Sequence, residues 1–175
     1  MEITGFEGFE GNVKTNFNTG ETYTSRIGLK YTLTTDTGNG ATPSGFRDPV
    51  KDGFGDTELV VGDLSRVKIG FGRNVEKFSL KYYVITDYTE KDLADEFPDQ
   101  VGKIDLSKIT TKNFDLFYTL RFIGNKNDET YTGPIATLPS EVTFNEFPFH
   151  TLEISTTRAG TAHFDVLRWT QSASI

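Results

Sequence analysis

The sequence predicts an all-β fold, an antiparallel β-sandwich of jelly-roll type, as one domain spanning residues 1–175. First, the chain contains 15 Phe, 7 Tyr and 17 Gly, a composition typical of strands and turns. Second, apolar and polar residues alternate along several segments, as in antiparallel sheets that have one face on a core. Third, no linker divides the chain, and its length suffices for a two-layered core.

The predicted strands are separated by loops rich in Gly and Pro. An acidic and aromatic strand opens the chain at residues 3–11. Further strands with alternating apolar residues are predicted at 26–35, 57–61, 66–71, 76–86, 114–123, 147–155 and 161–170. In the strand at 26–35, Ile27, Leu29, Tyr31 and Leu33 are expected on one face.

Three connections complete the prediction. Residues 36–56 form the longest loop, which contains several Gly and two Pro. The stretch 89–97 is the only helix-like segment, a short helix of about two turns that Pro98 would end. The last two strands are expected to form a hairpin around the turn at residues 157–160.

Composition excludes several function classes. The net charge of −7 argues against binding to nucleic acid, which needs a positive surface. With no Cys, the chain has no disulfide, zinc-thiolate site or thiol nucleophile. No apolar run approaches the roughly 20 residues that a transmembrane helix needs, so no membrane insertion is expected. No signal peptide is visible at the acidic N-terminus.

Catalytic motifs are also missing from the sequence. Only two histidines are present, His150 and His163, and no G-x-S-x-G nucleophile motif accompanies them. His163 and Asp165 lie two residues apart on one strand face, where a hydrogen bond between them could form. We therefore expect that the protein is not an enzyme.

Both ends of the chain resemble the galactose-binding-like jelly rolls, which occur as carbohydrate-binding modules and in exported PEP-CTERM-type proteins. Segment 3–9 (ITGFEGF) resembles their opening strand, and segment 164–169 (FDVLRW) resembles their closing strand. Segments 66–72 (RVKIGFG) and 77–80 (KFSL) are similar to a central pair of strands. The resemblance implies a β-sandwich with adjacent terminal strands and, often, a structural calcium ion.

The resemblance makes Glu7 and Asp165 the candidate metal ligands, because the family's opening Glu and closing Asp lie near that ion. The chain departs from the family pattern at Val166, which replaces a second Asp, and at the inserted Gly5. Calcium takes six to eight oxygen ligands, and Glu10 could supply another carboxylate. Alternatively, Asp165 points outward from an edge strand and Glu7 is solvated.

Five aromatic residues do not follow the alternation of core-facing positions in the predicted strands: Tyr83, Tyr88, Phe117, Tyr131 and Trp169. Exposed aromatic faces stack on sugar rings in carbohydrate-binding modules. Aromatics on both faces of a strand are equally typical of a buried interface with a partner chain, which we favour for these residues.

From these observations we expect a non-catalytic structural or adhesion module of a virion or extracellular surface assembly, such as a phage capsid or tail decoration protein. Its partners would be other protein subunits in an oligomer. Three observations favour this interpretation: strands with aromatics on both faces, a Met1 start without a signal peptide, and the lack of a catalytic constellation. The alternative is a carbohydrate-binding module with a structural calcium ion and a glycan as its partner.

Overall fold

The protein is an all-β molecule built from antiparallel strands. A computed structural model describes residues 2–36, 44–48, 57–62, 65–86, 118–131, 140–156 and 160–172, with the backbone alone at 35–36, 83–86, 118, 129–131, 140, 160–161 and 172. None of these residues is helical, so the described part of the chain contains no helix that could cross a membrane. The all-β class predicted from the sequence is confirmed.

The described part of the chain contains twelve strands. They are β1 (Glu2–Glu7), β2 (Thr15–Asn16), β3 (Thr22–Thr24), β4 (Lys30–Asp36), β5 (Gly45–Arg47), β6 (Glu58–Val61), β7 (Ser65–Thr86), β8 (Tyr118–Ile123), β9 (Asp128–Tyr131), β10 (Ser140–Phe144), β11 (Phe149–Thr156) and β12 (Gly160–Ser172).

Strand β7 belongs to both layers of the sandwich. Its first part, from Ser65 to Gly70, pairs with β4 and β11, and β3, β8 and β9 extend this first layer. Its second part, from Val75 to Thr86, pairs with β12 and β10 in the second layer. Between the two parts, Gly72 adopts a left-handed conformation (φ 73°), which glycine adopts without steric cost.

Strand β12 is the centre of the second layer. On the side away from β7, its first half pairs with β6, and β5 and β2 follow β6 outward. Its second half pairs with β1, from Glu2 opposite Ser172 to Glu7 opposite Leu167. The first and last strands are therefore neighbours, as the resemblance implies.

One hydrophobic core fills the space between the layers. The inward-facing residues of both parts of β7 are buried, as the alternation predicts: Val67, Ile69, Phe71, Val75, Phe78, Leu80 and Tyr82. Aromatic rings concentrate at one end, where Phe149 makes edge-to-face contacts with Phe71, Phe78 and Phe122 at centroid distances of 5.0–5.6 Å. Such pairs add to the stabilisation from burial.

Several details differ from the prediction. The two strands expected at 66–71 and 76–86 are the single strand β7. Ile27 is 50% exposed, because the chain turns at residues 25–28 and β4 begins only at Lys30. The expected loop at 36–56 contains the short strand β5, which pairs with β6. The helix expected near 89–97 lies outside the described residues.

The predicted closing hairpin is wrong. Strands β11 and β12 do not pair with each other over the described residues, since β7 lies between them in the strand order. β11 pairs with the first part of β7 and, through Phe149, with Val75, whereas β12 pairs with the second part. The alternation in the two segments is compatible with either arrangement, and the long β7 provides the partner for both.

Gly5 is a position where a side chain is not tolerated. Gly5 lies opposite Trp169 in the β1–β12 pair, and a Cβ atom on Gly5 would overlap the indole ring. We expect Gly5→Ala to lower the free energy of unfolding by about 1–3 kcal/mol through overpacking. Urea denaturation would measure the loss, with Thr4→Ala on the outward face as the control. Equal stability of the two variants would contradict this account of the packing.

Candidate functional site

A break in strand pairing gathers acidic side chains at the middle of β12. The register between β12 and β7 shifts between Asp165 and Arg168, and Val166 is left-handed with φ 53°. On the side of β12 away from β7, the neighbouring strand is β6 before this bulge and β1 after it. Glu58 begins β6 and Glu7 ends β1, so the two strands bring their acidic ends toward Asp165. Bulges commonly redirect side chains in this way.

The three carboxyl groups are buried. Glu7 and Asp165 are each 2% exposed, and Glu58 is 0% exposed. The alternative in which Asp165 points outward and Glu7 is solvated is therefore wrong. Buried carboxylates are costly unless they are hydrogen bonded, paired or bound to a cation, so their partners decide what this cluster can do.

Glu7 is held by two hydrogen bonds. The backbone N–H of Phe9 donates to Oε1 at 2.9 Å, and Phe9 is itself left-handed (φ 60°). The hydroxyl of Tyr31 donates to Oε2 at 3.4 Å. Burial and the neighbouring Glu7 carboxylate raise the pKa of Tyr31 well above its usual value, so Tyr31 remains a donor.

Glu58 is paired with His163. The distance between Oε1 of Glu58 and Nδ1 of His163 is 2.6 Å, and both side chains are buried. The hydrogen bond that the sequence suggested between His163 and Asp165 is replaced by this contact. Glu58 was not predicted, because it lies 105 residues from His163 in the sequence.

Asp165 is the least stabilised of the three. Its Oδ1 accepts a hydrogen bond of 2.7 Å from the backbone N–H of Val166. Burial nevertheless raises its pKa to about 7, and the nearby carboxylates of Glu10, Glu58 and Glu7 add to this effect. Without a cation, Asp165 therefore carries a proton over part of the neutral pH range.

The donor chemistry of Glu7 and Asp165 fits calcium, which prefers carboxylate oxygens. Burial, and to a smaller extent the nearby carboxylates, raises the pKa of Asp165, and a bound cation would offset both effects. Within the described ranges, no three acidic or histidine side chains are grouped so as to hold a metal ion. The two ligands that the resemblance implies, Glu7 and Asp165, would thus need backbone carbonyls or water to complete the coordination.

A second feature lies on the outer face of the second layer. A depression of about 280 Å³ opens between β1, β12, β7 and β10, and we call it the outer groove. Its lining combines polar side chains with edges of core aromatics: Thr4, Lys77, Phe78, Ser79, Thr143, Phe144, Asn145, Arg168, Trp169 and Thr170. No acidic residue is among these.

Cross-strand pairing explains why these polar groups form rows. Thr143, Ser79 and Arg168 follow one another across β10, β7 and β12, and Phe6 on β1 ends this row. In the neighbouring row, Lys77, Thr170 and Thr4 succeed one another across β7, β12 and β1. Side chains in such rows are direct neighbours on one face of the sheet.

Aromatic surface borders the outer groove at Phe6. The Phe6 side chain is 51% exposed, and the guanidinium carbon of Arg168 lies 5.3 Å from its ring centroid. This distance is typical of a cation–π contact, which orients Arg168. Phe6 was not among the candidates predicted from the sequence, although its position one residue before the inward-facing Glu7 marks it as an outward apolar residue.

The aromatic candidates from the sequence have different outcomes. Trp169 is 6% exposed, packs edge-to-face on Phe71, and is one of the residues that line the outer groove. The backbones of Tyr83 and Tyr131 pair with His163 and Leu120, respectively, and their side chains lie outside the described part. Tyr88 and Phe117 also lie outside the described residues.

The outer face of the first layer carries an ion cluster instead. Glu153 is nearly buried there, and Arg66, Lys68 and Arg121 place nitrogens 3.6–3.7 Å from its carboxylate oxygens. Arg121 also donates to Asp128, with an Nε–Oδ1 distance of 2.8 Å. These three cations are thus matched with carboxylates.

Comparisons with known proteins add little. The chain matches no protein-family model and no curated protein sequence. A solved structure described as "BiXyn10A CBM1 APO" is similar over 99% of this chain and 97% of that chain, at 10% sequence identity and a TM-score of 0.29. A TM-score this low carries no argument about function, so the function has to be argued from the site itself.

Proposed function

We propose that this protein is a non-catalytic carbohydrate-binding module that holds a glycan in the outer groove. The observation that carries the proposal is the row of hydrogen-bonding side chains in the groove beside the exposed ring of Phe6, which neighbours the groove residue Arg168. Sugars present hydroxyls around the ring edge and apolar C–H groups on the ring face. A binding site for them therefore needs both kinds of surface side by side.

The proposal is tested by removing Phe6. We expect Phe6→Ala to weaken glycan binding at least about tenfold, because a sugar ring would lose its stacking surface. Affinity electrophoresis against a panel of soluble neutral and acidic polysaccharides finds the ligand, and isothermal titration calorimetry measures the dissociation constant.

Ile27→Ala is the matched control, since Ile27 is also exposed, at 50%, and does not line the outer groove. It should bind like the wild-type protein. The proposal fails if no polysaccharide binds, or if both variants bind as the wild type does.

The expectation of a virion or extracellular surface assembly with partner subunits stays a prediction, as does a location at such a surface. The absence of enzymatic activity is likewise part of the proposal. In its support, both histidines already have partners within the fold: His163 contacts Glu58, and Nδ1 of His150 lies 2.8 Å from Oγ1 of Thr151.

We further propose that Glu7 and Asp165 bind a structural calcium ion. The cation would join the end of β1 to the bulge of β12, and it would neutralise carboxylates that are buried close together. Calcium should then raise the melting temperature because it binds the folded state preferentially. The effect should be larger at pH 8 than at pH 5, where a proton competes at Asp165.

Differential scanning fluorimetry with calcium and with a chelator tests this prediction. Glu7→Gln should abolish the calcium-dependent rise, whereas Glu146→Gln, at an exposed position in the bend between β10 and β11, should retain it. An unchanged melting temperature of the wild-type protein in millimolar calcium at pH 8 would exclude the structural ion.

A further inference from the structure

We infer that the glycan in the outer groove is acidic, and that Arg168 and Lys77 bind its carboxylate or sulfate groups. This inference rests on the proposed glycan-binding function and names the ligand class for the same site. Its basis is the charge of the groove, which is opposite in sign to that of the whole chain.

The two cations are placed by the sheet. Arg168 on β12 and Lys77 on β7 lie in neighbouring cross-strand rows, and both side chains are exposed. Among the described residues, neither has a carboxylate within 4.0 Å. Since no acidic side chain lines the groove, its positive charge is available to a ligand.

On the outer face of the first layer, an acidic side chain lies among the cations. There, Arg66, Lys68 and Arg121 all lie within 4.0 Å of one carboxylate, that of Glu153. The chain as a whole has 25 acidic and 18 basic residues. Among the described residues, the outer groove joins two cations that lack a carboxylate partner to polar groups that suit sugar hydroxyls, and no acidic side chain lines it.

Arg168 is suited to the recognition of a planar anion. A guanidinium group donates two parallel hydrogen bonds to a carboxylate, and a sulfate accepts similar bonds. The ring of Phe6 lies below the guanidinium at 5.3 Å and restricts its orientation. Lys77 adds a second, flexible charge one row away.

Calorimetric titration with three probes tests the inference: polygalacturonate, its methyl ester and dextran sulfate. We expect an anionic probe to bind at least about tenfold more tightly than the neutral methyl ester, and its binding to weaken as NaCl rises from about 50 to 500 mM. Preference for polygalacturonate would identify a carboxylate ligand, and preference for dextran sulfate a sulfate ligand.

Arg168→Gln and Lys77→Gln should each weaken binding of the anionic probe several-fold or more. Lys30→Gln removes an exposed cation from β4 in the first layer and should leave binding unchanged. This control separates a local contact in the groove from a change in net charge.

The outcomes separate this inference from the proposed function. If neutral polysaccharides bind through Phe6 as tightly as the anionic probes, or if Arg168→Gln binds like the wild type, the ligand is not acidic, and the module remains a glycan binder. If no polysaccharide binds, whether neutral or acidic, both the proposed function and this inference fail.

Discussion

At pH 8 and without calcium, Asp165→Asn should be more stable than the wild-type protein, by on the order of 3 kcal/mol in free energy of unfolding. The side chain of Asp165 is buried next to other carboxylates, and ionising it there is unfavourable. Asparagine has nearly the same shape and carries no charge, so it removes this cost while its amide oxygen can still accept the N–H of Val166.

The pH dependence has a definite sign. The pKa of Asp165 is about 7 in the folded protein, against 3.8 as the ordinary value, so the folded state binds more protons between these values. Stability contributed by the protonated form is therefore complete below pH 4 and is lost as pH rises through 7. Chelated wild-type protein should become easier to unfold between pH 5 and pH 8.

Urea denaturation at several pH values measures this effect. Asp165→Asn should show a much flatter profile between pH 5 and pH 8. Asp128→Asn is the control, because Arg121 lowers the pKa of Asp128 and its ionisation is complete in this range. A wild-type profile as flat as that of Asp165→Asn would show that Asp165 ionises normally.

Phe149→Ala should be among the most destabilising single substitutions in the described core, costing about 3–5 kcal/mol. Phe149 is 0% exposed, and its ring contacts Phe71, Phe78, Phe122 and Phe144 at centroid distances of 5.0–5.7 Å. Truncation would leave a cavity between both layers, since Phe78 lies on the second part of β7 and Phe122 on β8.

The matched control is Phe6→Ala, the same substitution at an exposed ring. It should change the free energy of unfolding by less than about 1 kcal/mol. Thermal unfolding would report the difference as a drop of roughly 10 °C for Phe149→Ala. Comparable losses in the two variants would indicate that the aromatic cluster does not hold the layers together as described.

The sequence predicted the long strands because their alternation extends over enough residues. The inward positions of β7 and β8, such as Ile69, Leu80 and Phe122, all follow this period. Strands of two or three residues, such as β2 and β5, have no measurable period, so they were missed. The partner of β12 was predicted wrongly because pairing between distant segments depends on the whole topology.

The candidate site was predictable only in part. Glu7 and Asp165 followed from the resemblance of the two terminal strands to a family. Glu58 could not be predicted, since it reaches Asp165 only because β6 and β1 share β12 as a neighbour. From the sequence, polar residues such as Ser79 and Thr143 can be predicted only to face solvent. The strand register, which the sequence does not reveal, places them side by side in a row.

The continuity of β7 has a consequence for how the molecule comes apart. One uninterrupted 22-residue strand supplies backbone hydrogen bonds to both sheets. Neither layer can separate without breaking hydrogen bonds along β7. Unfolding of one layer would therefore expose the core side of the other layer to solvent. Slowly exchanging amides should accordingly form a single protected group that runs the length of this strand and opens as a unit.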